Sequence, residues 1–138
     1  MTKPLSPDIA SIGGGPAGLA AAEVALAAGR SVAIYEAKPS LARKFLMAGK
    51  SGLNLSNNKA KEAFREAFPP EMQPFISAFG GQEARAWAEG LGEEMFIGSS
   101  GRLYPTAMKA SPLLRRWLKR LGDASLYVRW RWTGWADD

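Results

Sequence analysis

The 138-residue sequence contains no cysteine and no histidine. The first absence excludes disulfides and thiolate nucleophiles. The two together exclude the usual zinc sites, and the second excludes a Ser-His-Asp triad. Lack of cysteine does not by itself identify a compartment. A long uninterrupted hydrophobic run is missing as well. The stretch Ile9 to Gly29 is small and apolar behind Lys3, but Gly13, Gly14, Gly15, Pro16, Gly18 and Glu23 break it. It falls short of the roughly 20 continuous apolar residues of a membrane span and lacks the layout of a secretory signal. The expectation is a cytoplasmic protein with no membrane association. Internal repeats and low-complexity tracts are also absent. Adjacent acids occur at Glu93-Glu94 and Asp137-Asp138. Neighbouring strand residues point to opposite faces, so neither pair is assigned acid–base work, and no catalytic side chain is named.

What is present is an ordinary globular composition, 46% hydrophobic, with a net charge of +5. Much of the excess lies late, in Lys109, Arg115, Arg116, Lys119, Arg120, Arg129 and Arg131. Such a balance suits nucleic acid, an anionic membrane, a phosphorylated ligand or simple solubility. "SPLLRRWLKRLG" predicts an amphipathic helix with Ser111 as N-cap, Pro112 in the first turn and Leu113, Leu114, Trp117, Leu118 and Leu121 on its apolar face. Its cations are read as a solvated face. "SLYVRWRWTGW" alternates as a half-buried strand does, which puts Trp130, Trp132 and Trp135 in core packing rather than on nucleic-acid bases. No nucleic-acid partner is expected. A non-enzymatic protein binding an anionic partner through helix 112–121 stays open as an alternative.

The N-terminal third carries the chemistry. Residues 1–7 are polar, hold two prolines and read as loose. "DIASIGG" is a short apolar run ending in glycines, as a buried strand is. The alanine-rich segment after it predicts a helix, with Pro16 in its first turn and Gly29 at its stop. "SVAIYE" is a second strand, which completes a βαβ unit. Between strand and helix stands Gly13-x-Gly15-x-x-Gly18. The first glycine permits the tight turn, the second the approach of a pyrophosphate, and the third close packing of helix on strand. Glu36 follows Gly18 by 18 residues, at the end of the second strand. Its carboxylate can accept hydrogen bonds from an adenosine ribose and would repel a 2′-phosphate. The spacing allows NAD or FAD, so a nicotinamide-binding domain remains a rival.

"MAGKSGLNLSNN", Met47 to Asn58, contains Gly49-Lys50-Ser51 and invites a triphosphate-loop reading. That loop needs a glycine at position 44, where Lys44 stands, so the reading fails. Residues 37–58 show no clean period and are expected to form a long loop with one short turn, rich in donors at Lys38, Arg43, Lys44, Lys50, Ser51 and Asn54, with Gly49 and Gly52 permitting close approach. Residues 59–92 read as helices broken at Pro69-Pro70, with Ala63, Phe64, Ala67 and Phe68 on one side of the first. "EMFIGSSGRLYP" reads as two short strands around a Ser-Ser-Gly turn.

Three segments together, "IGGGPAGLAAAE", "YEAKPSLARKFLMAGKSGLNLSN" and "GRLYPTAMKASPLLRRWLKRL", resemble the N-terminal part of the BaiN-like, or aminoacetone-oxidase-family, bacterial flavoproteins. The first is common to many flavin and nicotinamide enzymes, whereas the second and third are specific. In the wider family a glycine precedes Arg-Lys where this sequence has Ala42, and "GLNLSN" replaces a cysteine-containing run. No loop cysteine is available as redox partner or covalent anchor.

The resemblance implies an α/β, Rossmann-like FAD-binding domain, incomplete, with a mostly helical insertion. Its parts are a βαβ core and cofactor loop at 1–58, the insertion with a hairpin at 59–122, and a returning strand at 123–138. Gly13, Gly15, Pro16, Ala17 and Gly18 would hold the diphosphate of FAD, and Glu36, with Ala37 beside it, the adenosine ribose. Arg43 and Lys44 would lie along adenosine and diphosphate, Ser51, Gly52 and Asn54 near the flavin, and the backbone at Trp132 by the adenine. The full protein would be an oxidoreductase exchanging two electrons between NAD(P)H or oxygen and an unidentified small substrate. Family members run to two or three domains. The chain is therefore expected to be part of a longer protein, to have the missing C-terminal part as its partner and to be inactive alone.

Overall fold

A computed structural model describes residues 6–48 and 50–136. The expectations for residues 1–5, for Gly49 and for Asp137-Asp138 therefore lie outside the described residues. By contact the chain divides into two units, Met1–Met47 with Trp117–Asp138, and Ala48–Arg116. These limits fall at 47/48 and 116/117 rather than at 58/59 and 122/123. Ser56 and Asn57 pair with a strand of the inserted unit, while Trp117 is hydrogen-bonded to the first helix of the flanking unit.

The first unit is a parallel sheet with a helix on one face. Strands β1 (Ile9–Ile12), β2 (Val32–Glu36) and β6 (Ser125–Val128) are ordered β1-β2-β6. Ile9 stands opposite Val32, and Tyr35 opposite both Ile12 and Tyr127. Val32, Ala33 and Ile34 of the central strand are buried. Helix α1 (Pro16–Ala27) packs on β1 and β2 through Leu19, Ala22 and Ala25. It ends as its sequence predicts: the N–H groups of Gly29 and Arg30 return to the carbonyls of Leu26 and Ala25, with Gly29 at φ +75°. That is the Schellman stop, which glycine adopts without steric cost. At the other end of the βαβ unit Asp8 and Ser31 exchange hydrogen bonds of 2.9 Å each, fixing the starts of β1 and β2 side by side.

Helix α6 (Ala110–Arg120) begins in the second unit and ends in the first. It has the predicted apolar face, with Leu113, Leu114, Trp117 and Leu121 buried. Its start differs from expectation. Ala110 is already helical and buried, so Ser111 lies inside the first turn and is not the N-cap. Glu23 of α1 accepts hydrogen bonds from Trp117 Nε1 at 2.7 Å and Arg120 Nη1 at 2.8 Å.

Two further expectations are corrected. Residues 37–58 are not one long loop, because Arg43–Ala48 forms a short helix, α2, and Ser56–Asn57 a short strand, β3. The alternation after β6 does not continue as strand. Arg129 takes φ +63°, its N–H and that of Trp130 bond to the carbonyls of Lys38 and Glu36, and residues 131–136 belong to no strand. Without a sheet there is no inner face, and Trp130, Trp132 and Trp135 are exposed rather than packed in the core.

The second unit holds α3 (Lys61–Glu66), α4 (Gln73–Ala78), α5 (Gly81–Gly90) and an antiparallel sheet in which β5 (Arg102–Pro105) lies between β3 and β4 (Met95–Ile97). The Pro69-Pro70 break and the 98–101 turn stand where the sequence puts them. Glu93 is buried, with Arg116 Nε 3.0 Å from its Oε1, an ion-pair contact without hydrogen-bond alignment. Arg116 and Arg120 thus face carboxylates, which lowers the unpaired positive charge on α6. Among the described residues no helix is long and apolar enough to cross a membrane.

Candidate dinucleotide site

The C-terminal ends of β1 and β2 and the start of α1 converge on the glycine turn. Gly13 takes φ +103°, a conformation that L side chains rarely adopt, and its N–H extends the β1–β2 pairing by bonding Tyr35 O at 2.8 Å. A side chain on Gly18 would run into Gly13 O, with Ser11 Oγ 2.9 Å from its Cβ. The helix can approach the strand only because that atom is absent. Gly15, the N-cap, differs from both. Its φ of −82° suits any residue, and a Cβ there would meet nothing within 4 Å. Among the described residues nothing requires a glycine there, and the space beside it is open. This is the steric signature of a cradle that a side chain would fill.

The electrostatics of the turn agree. Pro16 has no N–H. Among the described residues the N–H groups of Gly15, Ala17 and Gly18 have no acceptor, and no side chain caps α1. Three donors stand at the positive end of a 12-residue helix, where a Cβ on Gly15 would meet only open space, an arrangement suited to phosphate oxygens.

Glu36 is fastened to this turn. Its Oε2 accepts the Gly14 N–H and its Oε1 the Lys38 N–H, both at 2.8 Å. The hydrogen bond from Lys38 holds its carboxyl below the usual carboxylate range; partial burial opposes this, and the N–H groups of Gly14 and Ala37 reinforce it. The acid stays ionised and keeps accepting capacity for hydroxyls.

The remaining predicted residues fall into two groups. In the first unit, Ala37 is exposed beside Glu36, and Arg43 and Lys44 open α2 with exposed side chains, Arg43 donating to Ser40 Oγ at 3.2 Å. Trp132 is half-exposed, edge-on to Trp135 at 5.8 Å. Ser51, Gly52 and Asn54 belong to the second unit. There Gly52 takes φ +120°, with Met108 Cε 2.9 Å from its Cβ position, and Ser51 and Asn54 are exposed.

Three residues of the site escape a sequence reading: Gly14, Leu41 and Ala42. The Leu41 side chain occupies the space a Gly14 Cβ would need, and Ala42 N–H bonds Gly14 O at 2.7 Å. Leu41 and Ala42 are buried, and Ala42 takes φ +54°. A left-handed backbone at Ala42 is one that glycine adopts without steric cost.

Comparison with known proteins extends this geometry. No protein of curated function matches. Among the solved structures that share the fold are two at 19% identity each. Thermovibrio ammonificans THI4 has a TM-score of 0.53, with 88% of this chain and 38% of that one covered. The open conformation of a flavocytochrome c3 fumarate reductase has a TM-score of 0.58, with 90% and 27% covered. This chain therefore spans well under half the length of either. The model of the HI0933-like protein Rossmann domain matches residues 7–138. With strand, glycine turn, helix and acid all in place, the chain belongs to the HI0933-like Rossmann-domain family of FAD-binding flavoproteins.

Proposed function

We propose that this chain forms the FAD-holding part of a flavin-dependent oxidoreductase that exchanges two electrons between NAD(P)H or oxygen and a small organic substrate. The observation that carries the reading is the pairing of three N–H donors without an acceptor among the described residues, beside an open Gly15, with an ionised Glu36 tied to the same turn. Gly13, Gly15, Pro16, Ala17 and Gly18 receive the diphosphate, and Glu36, beside Ala37, receives the ribose hydroxyls. Arg43 and Lys44 add positive charge along adenosine and diphosphate. Ser51, Gly52 and Asn54 serve the flavin end, and the backbone at Trp132 serves the adenine. FAD, when bound, supplies the redox chemistry, and the chain's own residues bind and orient it.

The "RKFLMAGKSGLNL" and "GSSGRLYP" segments support a BaiN-like, aminoacetone-oxidase-like assignment within the family. Substrate-selecting residues are assigned to a further C-terminal part of the same protein, and this chain alone is expected to be inactive. That part is its partner in this reading, and the protein is cytoplasmic. The exposed apolar residues Ile12, Leu126 and Val128 of the sheet support a further covering element, since parallel sheets are ordinarily buried on both faces.

The test is direct. The purified protein is mixed with FAD, desalted and examined for visible flavin absorption, with NAD as the parallel arm. Retained flavin that ADP displaces supports the reading. Uptake of NAD but not FAD, or of neither, sinks it.

A further inference from the structure

We infer that the Leu41-Ala42 segment is a positioning element for the diphosphate, aiming the Gly15 N–H; this rests on the dinucleotide reading above. The Gly14–Gly15 peptide is trans, as is every peptide among the described residues. In a trans peptide the C=O and the following N–H point in opposite directions. Ala42 N–H holds the Gly14 carbonyl at 2.7 Å. Fixing that carbonyl on the Ala42 side turns the Gly15 N–H to the opposite side. The preceding peptide is fixed in the same manner. Gly14 N–H is spent on Glu36 Oε2, and Gly13 O lies on the side of Gly18 in α1.

The two bonds divide the labour of the turn. Gly14 N–H is committed to the acid and is not available to an anion, while Gly15 N–H has no acceptor among the described residues and is held in one direction. Leu41 closes the back of the turn, because its side chain occupies the space beside Gly14. The segment sustains a cost to stand there: Ala42 is at φ +54° and is nonetheless buried. A left-handed conformation at a residue other than glycine, asparagine or aspartate persists where surrounding contacts over-determine it.

The experiment separates phosphate recognition from adenosine recognition. Replacing Ala42 by L-lactic acid through suppression removes the one N–H and leaves the side chain in place. Ala42→Gly keeps the N–H and is the conservative control. Affinities for ADP and for adenosine are measured by calorimetry on the purified protein, with thermal melts alongside. The expected result for the ester variant is ADP affinity reduced about tenfold, the scale of a hydrogen bond acting through a charged ligand, with adenosine affinity unchanged within about twofold. Ala42→Gly should retain both affinities. A parallel loss of ADP and adenosine affinity, or no loss of either, overturns the inference and leaves the segment a structural support only. Failure of the unaltered protein to bind ADP or FAD instead overturns the dinucleotide reading itself, so the two failures are distinguishable.

Discussion

Two glycine-bearing turns of this chain look alike on paper and differ in what they leave free. In the turn at 13–18, the donors of Gly15, Ala17 and Gly18 have no acceptor among the described residues. In the stretch at 50–58, four donors are spent, Leu53 on Met108 O, Asn54 on Gly52 O, Leu55 on Leu103 O and Asn58 on Gly101 O, at 2.9–3.0 Å, while among the described residues those of Lys50, Ser51 and Gly52 have no acceptor and stand at no helix start. The second stretch is laced to the hairpin of its own unit from Leu55 on, whereas the first ends in a helix whose opening N–H groups have no acceptor among the described residues. Glycine content therefore does not make a phosphate cradle. Unpaired donors at a helix start do, because only they can be handed to a ligand without breaking a bond of the fold.

The largest effect that would break the comparison lies within the first turn. Gly18→Val should lose about 3 kcal/mol of stability, since its Cβ meets backbone at Gly13 and the Ser11 hydroxyl; a urea melt reads this. Gly15→Val should cost clearly less stability than Gly18→Val, because its Cβ meets nothing and only the N-cap preference is lost, and should still abolish measurable FAD binding. A Gly15→Val protein that unfolds, or that binds FAD normally, would show that the open space is not a ligand space.

Next in size is the acid. Glu36→Ala should weaken FAD binding by about 1–3 kcal/mol, from lost hydrogen bonds to a charged group. The pH dependence carries a definite sign. The Glu36 carboxyl is held below its ordinary value by N–H donors, so its contribution to stability is complete above the ordinary carboxyl range. That contribution is lost as pH falls through the folded-state value. The urea midpoints of wild type and Glu36→Gln should therefore converge as the solution is acidified into that range. A gap that stays constant with pH would remove the charge from the explanation.

Smaller effects sharpen each turn by itself. Gly52→Ala should cost about 1–2 kcal/mol through its positive φ and the Met108 contact, while calorimetry shows ADP affinity unchanged. Ala42→Gly should raise stability by about 1 kcal/mol by relieving a left-handed alanine. A thermal melt that falls instead would place the strain elsewhere.

The legible parts of this molecule are those set by residues close in sequence. The strand, turn, helix and strand of the βαβ unit, the Schellman stop at Gly29 and the apolar face of α6 follow from spacing, propensity and side-chain size within a few turns. The illegible parts depend on partners far along the chain. Helix α2 is one: "RKFLMA" has no apolar stripe, and its start is anchored by Ala42 reaching Gly14. The exposed tryptophans are another. Their alternation is a proper strand pattern, and the left-handed residue at Arg129 ends the strand before the pattern can be used.

The sequence by itself determined that a helix would begin at a glycine turn with an acid one strand away, because that unit is assembled from local backbone geometry and from atoms that glycine lacks. It equally excluded a triphosphate loop at 44–51, since Lys44 stands where the turn needs a glycine. Only the tertiary structure decided which N–H groups of the two glycine-rich turns remain free. A donor is free or spent according to the carbonyl that reaches it, and here those carbonyls come from residues up to several dozen positions away.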